Sequence, residues 1–404
     1  MTGYRSILII KMSAMGDVVH ALPSLHALRN LYPGAVISWL VEPQFAPLLP
    51  GPPWVDEPVV FEKNRLKKLG LRDKISYLAA FRKKLHSRHF DLVLDLQGLM
   101  KSTLAALLSG CRNRLGYCEM REGSFLFTRA VKGPNARGHV VERYRDVVRS
   151  LGPVPPEVVF PLPDHAEPAR KMAATLRGLG LTRPLALLFP GAGWESKLWP
   201  ARRFAELARE LDRKGLDAAV GGAAGDAGLA GEIRDAAPEL NLPDLTGRTD
   251  IPALLGLVSL ASVCVGADTG PLHLAAARGI PTVSLFGPSS GERAGTWGAL
   301  GAYVQTKAPC APCFKRRCPR TFVCMDDIAV GEVAAAVGRV LAPRPPAAPP
   351  GPGGGRGGLP GTGPGGGKPP GPPGLSSPPT NPPNLTCRQT SSAPPPGRFF
   401  RPEP

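Results

Sequence analysis

The sequence predicts an α/β protein made of two doubly wound domains, and three observations support this class. Short, fully apolar runs, typical of buried parallel strands, alternate along the chain with stretches of helical spacing. A Pro-rich passage at 152–163 interrupts this alternation, which then restarts. The chain has 404 residues, of which 43% are apolar, so it is long and apolar enough to build two cores.

The first domain is expected over residues 1–155. Apolar runs predict its strands at 7–10, 36–41, 59–61 and 91–96. Helical spacing follows most of these runs: from Val18 after the first, through a basic amphipathic stretch ending near His86, and again from Leu99 after the fourth. Strands and helices in this order form a parallel sheet with crossover helices.

Residues 156–183 are expected to form a linker and one helix, and residues 184–327 the second domain. Its strands are predicted at 185–189, 216–221, 262–266 and 282–286, and its helices at 201–214, 227–236, 251–259 and directly after Gly270. A C-terminal helix is expected at 328–342. Pro and Gly dominate residues 343–404, which cannot offset their ordering entropy by burial, so we expect a disordered tail. Such a tail serves as a linker, as an adhesive segment, or is an incidental extension of the reading frame.

The charge balance indicates an anionic partner. The net charge is +17, and residues 343–404 hold six Lys/Arg and one Glu, which leaves +12 on the rest of the chain. Nucleic acids, phosphorylated sugars and anionic membranes all suit such a surface, but no nucleic-acid-binding motif accompanies it, so we expect no nucleic acid partner. We expect a cytoplasmic protein, because there is neither a signal-peptide layout nor an apolar run long enough to span a membrane.

Three loops at the carboxyl ends of predicted strands should meet in a cleft between the domains: 11–17, 190–200 and 266–271. Asp17 is a candidate general base, although a carboxylate at a helix start also serves as a simple cap. Lys197 follows a Gly-Ala-Gly loop and suits a phosphate, although a solvated lysine is the alternative.

The stretch 266–273 (GADTGPLH) places the amide end of a helix directly after a strand, an arrangement that attracts phosphates. Asp268 either caps that helix or holds a hydroxyl group of a nucleotide sugar. In the corner at 95–102, the side chains of Gln97, Lys101 and Ser102 suit an acceptor with hydroxyls and a carboxylate, while a structural turn is the alternative reading.

Four clustered cysteines raise the question of a metal. Cys310, Cys313, Cys318 and Cys324 suit zinc or an iron–sulfur centre by residue type. Their irregular spacing favours structural or redox-labile thiols instead, and we expect no metal.

Several of these stretches together resemble a known family. Residues 11–23 (KMSAMGDVVHALP), 91–102 (DLVLDLQGLMKS), 197–200 (KLWP) and 266–273 are similar, in the same order, to motifs of the heptosyltransferases, glycosyltransferase family 9. Residues 139–143 (HVVER) also resemble this family, and the likeness covers about residues 5–342.

This resemblance implies a GT-B fold, with two Rossmann-like domains facing a central cleft. It implies transfer of L-glycero-D-manno-heptose from ADP-heptose to the inner core of lipopolysaccharide at the cytoplasmic face of the inner membrane, without a cofactor or catalytic metal. The segment 39–42 (WLVE) is most similar to heptosyltransferase I, whose acceptor is the Kdo of Kdo2-lipid A. The Cys-rich segment is more similar to some type II sequences, so addition of the second heptose is the alternative. Another family 9 transferase and a nucleotide-sugar-binding regulator also stay open.

Matching the motifs residue by residue assigns Asp17 as the base and Lys197 as the pyrophosphate ligand. The donor-binding residues are expected to be Ala192, Gly193, Lys197, Asp226, Asp268, Thr269, Gly270 and His273. The acceptor-binding residues are expected to be Ser13, Met15, Gly16, Lys63, Arg65, Lys67, Lys68, Gln97, Lys101 and His139. Some type I members have a Thr pair where this chain has Ala192-Gly193, so amides must replace hydroxyl contacts. We expect a monomer, whose basic segment 63–68 and residues 82–84 attract the acceptor and an anionic membrane.

Overall fold

Two parallel β-sheets, each flanked by helices, confirm the predicted α/β class. A computed structural model provides the structure and describes residues 3–298, 300–319 and 324–342. These residues belong to one compact unit. The tail for which we expect disorder, 343–404, lies outside the described residues.

The N-terminal lobe contains six strands and five α-helices among the described residues. In chain order they are β1 (Ser6–Ile10), α1 (Met15–Leu31), β2 (Val36–Val41), β3 (Glu57–Val60), α2 (Lys63–Lys68), α3 (Leu71–His86), β4 (Leu92–Asp95), α4 (Met100–Leu108), β5 (Arg114–Tyr117), β6 (Arg129–Val131) and α5 (Val140–Arg149).

The sheet of this lobe has the order β3-β2-β1-β4-β5-β6, with all neighbours parallel. The order reverses between β1 and β4, and open parallel sheets bind ligands outside the carboxyl ends of their strands at such a point. Ile10 pairs with Asp95, so the loops that follow β1 and β4 leave the sheet side by side.

The C-terminal lobe has five strands and seven α-helices among the described residues. They are α6 (Ala166–Gly178), β7 (Leu185–Phe189), α7 (Ala201–Arg213), β8 (Asp217–Val220), α8 (Ala227–Asp235), α9 (Ile251–Ser259), β9 (Ala261–Ala267), α10 (Gly270–Ala277), β10 (Thr282–Phe286), α11 (Gly291–Ala294), β11 (Gly301–Gln305) and α12 (Val330–Leu341).

The second sheet has the order β11-β10-β9-β7-β8, again all parallel. Phe189 at the end of β7 pairs with Gly266 in β9. A Cβ on Gly266 would lie 2.3 Å from the Phe189 carbonyl oxygen, so only glycine lets these strands pair here. The loops that carry Lys197 and Asp268 therefore start next to each other.

Six of the described strands and α-helices were not predicted: β5, β6, β11, α2, α5 and α11. The helices α2 and α11 are short, with six and four residues. The three strands are short and contain polar or partly exposed residues, so they lack the apolar run that marks a buried strand. The helix α5 has a clear apolar stripe, with Val140, Tyr144 and Val147 buried at helical spacing. Its signal was present, but the segment was interpreted only as a motif.

The lobes meet where α1 packs against α10, and glycines allow this close approach. A Cβ on Gly16 would lie 2.6 Å from the His273 ring, and one on Gly270 would lie 2.7 Å from the Met15 Cβ atom. One buried apolar cluster therefore continues from the first lobe into the second. Within the described part of the chain, no helix is both long and apolar enough to cross a membrane.

Candidate active site

A cleft of about 1330 Å³ lies between the carboxyl ends of the two sheets. Twelve of the predicted site residues line it: Met15, Gly16, Asp17, Gln97, Ala192, Gly193, Lys197, Asp226, Asp268, Thr269, Gly270 and His273. The other seven lie outside this lining: Ser13, Lys63, Arg65, Lys67, Lys68, Lys101 and His139. The donor-side prediction and the candidate base thus come together, whereas the predicted acceptor-side lysines and arginine lie outside the lining.

Asp17 lies in the first turn of α1, on the N-terminal wall of the cleft. Ala14 occupies the N-cap position and offers no side-chain acceptor, so the Asp17 carboxylate accepts the Ala14 N–H at 3.3 Å. The Asp17 side chain is 46% exposed, which leaves its second oxygen accessible. The carboxylate therefore serves as a helix cap and is still available to a hydroxyl group in the cleft.

A buried lysine lies behind this carboxylate. Lys11 is 2% exposed, and its Nζ donates to the Tyr144 hydroxyl at 2.7 Å and to the Leu96 carbonyl at 3.0 Å. The same Nζ lies 3.7 Å from Oδ1 of Asp17. Because the ammonium is buried, its charge is weakly screened and attracts the Asp17 carboxylate. Burial, and then the charge of Asp17, raises the pKa of Tyr144 well above its ordinary value, so the phenol stays protonated.

Gln97 holds the loop that leads into α1. Its side-chain oxygen accepts the backbone N–H groups of Met12 at 3.0 Å and Ser13 at 3.2 Å. Asp95 in turn fixes the Gln97 loop by accepting two backbone N–H groups and the Ser102 hydroxyl. Burial raises the pKa of Asp95 despite these hydrogen bonds. Gln97 thus positions the loop next to Asp17, and only its amide N–H₂ group remains for a ligand.

Lys197 lies on the opposite wall and is paired with Asp268. Its Nζ donates to Oδ2 of Asp268 at 2.6 Å and lies 4.4 Å from the centre of the Trp194 ring. The Ser289 hydroxyl donates to the same carboxylate oxygen at 3.1 Å. The Lys197 and Asp268 side chains are 12% and 13% exposed. This pair places one cation, already oriented, at the edge of the cleft.

Two histidines extend this pair across the lobe boundary. Nε2 of His273 lies 3.1 Å from Oδ1 of Asp268, and Nδ1 of His273 lies 3.1 Å from Nε2 of His20 on α1. These partners assign the protons: His273 donates to the carboxylate and accepts from His20. Burial lowers the pKa of His20 well below its ordinary value, so His20 is neutral. Burial would raise the pKa of Asp268, but His273 and the charge of Lys197 outweigh it and hold that pKa well below its usual range.

The amide end of α10 faces the cleft. Thr269 is the N-cap residue and makes no side-chain cap hydrogen bond, and both Thr269 and Gly270 line the cleft. A helix start of this kind offers backbone N–H groups and a positive dipole end to phosphate. Ala192 and Gly193 lie in the same lining and add backbone groups without hydroxyls.

Asp226, the candidate ribose ligand, is partly occupied by its own loop. Its Oδ2 accepts the Ala223 N–H at 2.8 Å. A Cβ on Gly191 would lie 2.2 Å from the Asp226 carboxyl carbon, so the carboxylate packs directly on the Gly loop. Oδ1 is the atom left to accept a hydroxyl from the cleft.

Two of the predicted acceptor-side cations lie next to a buried carboxylate. Lys63 and Lys101 lie 3.7 and 3.6 Å from Oε1 of Glu42, whose side chain is 6% exposed. Nζ of Lys101 also lies 3.4 Å from the Ser13 hydroxyl. Burial, and then the charge of Lys63, lowers the pKa of Lys101. The remaining cations of α2, Arg65, Lys67 and Lys68, are exposed to solvent.

His139 is not part of the cleft lining but bridges the lobes. It caps α5 by accepting the Val141 N–H at Nδ1, and its Nε2 donates to the Gly295 carbonyl at 2.8 Å. Its ring packs against Trp297, with 4.8 Å between the ring centres. Burial lowers the pKa of His139 to about 4.

The four clustered cysteines lie away from the cleft. Cys310, Cys313, Cys318 and Cys324 line a separate pocket of about 220 Å³. Burial, and then the neighbouring thiols, raises the pKa of Cys324 to about 11. Across the described ranges, no group of three His, Cys, Asp or Glu side chains has an arrangement that holds a metal ion.

Sequence reasoning did not single out Lys11, Tyr144 or His20. Lys11 directly follows an apolar strand, and a lysine at that position is a usable signal. Tyr144 and His20 belong to apolar helix faces, where a polar ring gives no sign of its partner.

Two Rossmann-like lobes, a carboxylate on one wall and a cation with a helix amide end on the other define a glycosyltransferase of the GT-B fold. Comparisons with known proteins agree. The model of glycosyltransferase family 9 (heptosyltransferase) matches residues 78–323. Lipopolysaccharide heptosyltransferase 1 of Pseudomonas aeruginosa is 31% identical over 320 residues, which cover 77% of this chain and 87% of that protein.

Lipopolysaccharide heptosyltransferase 2 of Escherichia coli is 29% identical over 300 residues, which cover 70% of this chain and 83% of that protein. The solved structure of E. coli heptosyltransferase WaaC with ADP superposes with a TM-score of 0.66 at 23% identity, covering 83% of this chain and 99% of the other. The chain belongs to glycosyltransferase family 9, the heptosyltransferases. The predicted family and fold are thereby confirmed.

Proposed function

We propose that this enzyme transfers L-glycero-D-manno-heptose from ADP-heptose to the Kdo of Kdo2-lipid A, with inversion at the anomeric carbon. The observation that carries the proposal is the arrangement of the cleft. The Asp17 carboxylate lies on the N-terminal wall, and Lys197 with the amide end of α10 lies on the C-terminal wall. A base and an anion site on facing walls suit the displacement of a nucleotide by a hydroxyl.

In the proposed reaction Asp17 takes the proton of the acceptor hydroxyl while that oxygen forms a bond to the anomeric carbon. The bond from this carbon to the β-phosphate oxygen breaks, and ADP leaves with the electron pair. Lys197 and the amides near Thr269 stabilise the charge that develops on the leaving phosphate. No resident cofactor enters the proposal, since ADP-heptose is a co-substrate.

Lys197 can serve the pyrophosphate only by sharing its charge with Asp268, to which it donates at 2.6 Å. Asp268 is held in place by Ser289 and His273, so the ammonium is oriented before the donor arrives. An oriented cation needs little reorganisation during the reaction, and this is the main advantage of an enzyme site over water.

The acceptor side supports a substrate with several negative charges. Lys101 lies next to the loop before α1, Lys63 shares Glu42 with it, and exposed Arg121 lines the cleft. These cations suit the carboxylate of a Kdo sugar and the phosphates of lipid A. The segment 63–88 holds ten Lys/Arg and one Asp, which supports association with the anionic cytoplasmic face of the inner membrane. We also expect the enzyme to act as a monomer.

Addition of the second heptose is the alternative. The relatives named heptosyltransferase 1 and 2 are 31% and 29% identical to this chain, a difference too small to select the acceptor. A transfer assay with ADP-heptose and either Kdo2-lipid A or its heptosylated product separates the two by mass spectrometry. We expect Kdo2-lipid A to gain one heptose; heptosylation of the second acceptor alone would select the alternative.

The role of Asp17 is tested by Asp17→Asn, which keeps the shape of the side chain and removes the base. We expect turnover to fall by about 100-fold or more, the usual effect of losing a general base. Asp73→Asn is the matched control, since Asp73 is also an exposed carboxylate in a first helical turn, that of α3. If Asp17→Asn keeps turnover within about tenfold of the natural enzyme, Asp17 is not the base. ADP binding that is unchanged in Asp17→Asn shows that the loss concerns chemistry and not the fold.

A further inference from the structure

The outer side of α4 is apolar although it faces solvent. Met100, Leu104 and Leu107 are 37%, 47% and 37% exposed, whereas Ala105 and Ala106 are buried against the sheet. Residues four and seven positions apart lie on one side of a helix, so the three large side chains form a single stripe.

A second apolar run lies next to this stripe. Phe125, Leu126 and Phe127 are 48%, 71% and 43% exposed. A Cβ on Gly123 would lie 3.6 Å from Cε of Met100 and 3.9 Å from Cδ1 of Leu126, so those side chains flank the same point. We call the six side chains of the two runs the apolar face. Half of the twelve large hydrophobic side chains that are exposed among the described residues belong to it.

The apolar face borders the acceptor side of the cleft. Leu99, directly before α4, and Arg121, four residues before Phe125, both line the cleft. The two runs are tied together at this end, because the Arg121 N–H and the Ser124 hydroxyl both donate to the Gly98 carbonyl. A molecule seated on the apolar face would therefore reach the cleft that Asp17 also lines.

The segment that carries the apolar face is positively charged. Residues 98–132, which contain both runs, hold six Lys/Arg and two Glu. Arg112, Arg121, Arg129 and Lys132 among them are exposed. Exposed apolar side chains and exposed cations on one segment are the pattern of a surface that lies in the interface of an anionic bilayer.

We propose that the apolar face inserts into the headgroup layer of an anionic phospholipid bilayer and holds the cleft over an acceptor whose acyl chains stay in the membrane. This inference rests on the proposed function only for the identity of that acceptor. The proposed contact is hydrophobic and adds to the electrostatic attraction of the segment 63–88. In that segment the exposed large hydrophobic side chains are Leu71 and Ile75.

The test is flotation of the full chain with vesicles of phosphatidylethanolamine and phosphatidylglycerol, and with neutral phosphatidylcholine vesicles for comparison. The double variant Leu104→Gln/Leu126→Gln removes apolar contact without changing charge, at positions exposed enough to keep the fold. Burying one such side chain corresponds to roughly a tenfold change in partition, so we expect binding to anionic vesicles to fall at least tenfold. Val36→Gln/Val159→Gln, at exposed positions outside the apolar face, should bind like the natural chain.

The proposal is overturned if the natural chain does not bind anionic vesicles, or if the Leu104/Leu126 variant binds them as tightly as the natural chain. Self-association through the apolar face, abolished by the same variant without any vesicle binding, would also overturn it. Transfer to a lipid-free acceptor oligosaccharide is measured in parallel and should be unchanged in the variant. If the natural chain transfers heptose neither to this acceptor nor to Kdo2-lipid A or its heptosylated product but binds vesicles through the apolar face, the proposed function fails and the membrane contact stands.

Discussion

Acidification should destabilise this enzyme through a buried histidine that bridges its lobes. Burial lowers the pKa of His139 from 6.5 to about 4, so the folded protein keeps this ring neutral at pH 5. In the unfolded chain the same ring is protonated below pH 6.5. The unfolded state thus binds more protons between pH 6.5 and 4, and the free energy of unfolding falls as the pH falls through this range.

The size of the effect follows from the two pKa values. The pKa of His139 is about 2.5 lower in the folded than in the unfolded protein, and acidification from pH 7.5 to 5.0 covers about 1.5 of this difference. Each pKa unit corresponds to about 1.4 kcal/mol, so His139 lowers the free energy of unfolding by about 2 kcal/mol over this range. His20 is also buried with a lowered pKa and adds a loss of the same sign.

Urea unfolding of the natural chain and of His139→Gln at both pH values isolates this contribution. Glutamine does not titrate, and its amide can still donate to the Gly295 carbonyl. We expect the variant to lose about 2 kcal/mol less than the natural chain on acidification, because the substitution removes the titration of this ring and leaves His20 in place. His86→Gln, at an exposed histidine, is the control and should lose as much as the natural chain. An equal loss in His139→Gln and the natural chain would refute the reasoning.

Three further predictions concern packing and donor binding. Gly256→Ala should lower the free energy of unfolding by about 1–3 kcal/mol in urea, because the new Cβ would lie 2.5 Å from the Pro168 carbonyl carbon, a backbone atom; an unchanged midpoint would contradict this. Gly338→Ala in α12 meets open space and should raise that free energy by about 0.5–1 kcal/mol; a loss would contradict it. Lys197→Ala should weaken ADP binding roughly tenfold or more in calorimetry, since it removes a charged hydrogen-bond donor and leaves Asp268 near the pyrophosphate; unchanged affinity would argue against the contact.

Much of the fold follows from local pattern. The strands with continuous apolar runs, such as β1 and β7, are fully or almost fully buried, and so the pattern that predicts them is strong. The residues of the edge strands β6 and β11 are exposed or only partly buried, so their sequence has no continuous apolar run that would predict a strand. The helix α5 has a clear apolar stripe, but it was not predicted because residues 139–143 were considered only as a family motif.

The candidate site was likewise predicted only in part. Asp17, Lys197 and Asp268 were predicted because each follows a strand or a Gly loop at the end of a sheet where ligands bind. The assignment of these residues to base, phosphate ligand and donor loop stays a prediction until the variants are measured. The structure shows in addition that Lys197 and Asp268 form one ion pair, which their separate motifs did not indicate.

The sequence by itself determined the alternation of strands and helices, the two-lobed class and the family, because these depend on neighbours a few residues apart and on ordered motifs. Only the tertiary structure decided which side chains become partners. Lys11 and Tyr144 are 133 residues apart, and His20 and His273 are 253 apart, yet each pair forms a hydrogen bond. Contacts of this range depend on how sheets and lobes pack, and a polar residue in an apolar helix face carries no local sign of the group that will satisfy it.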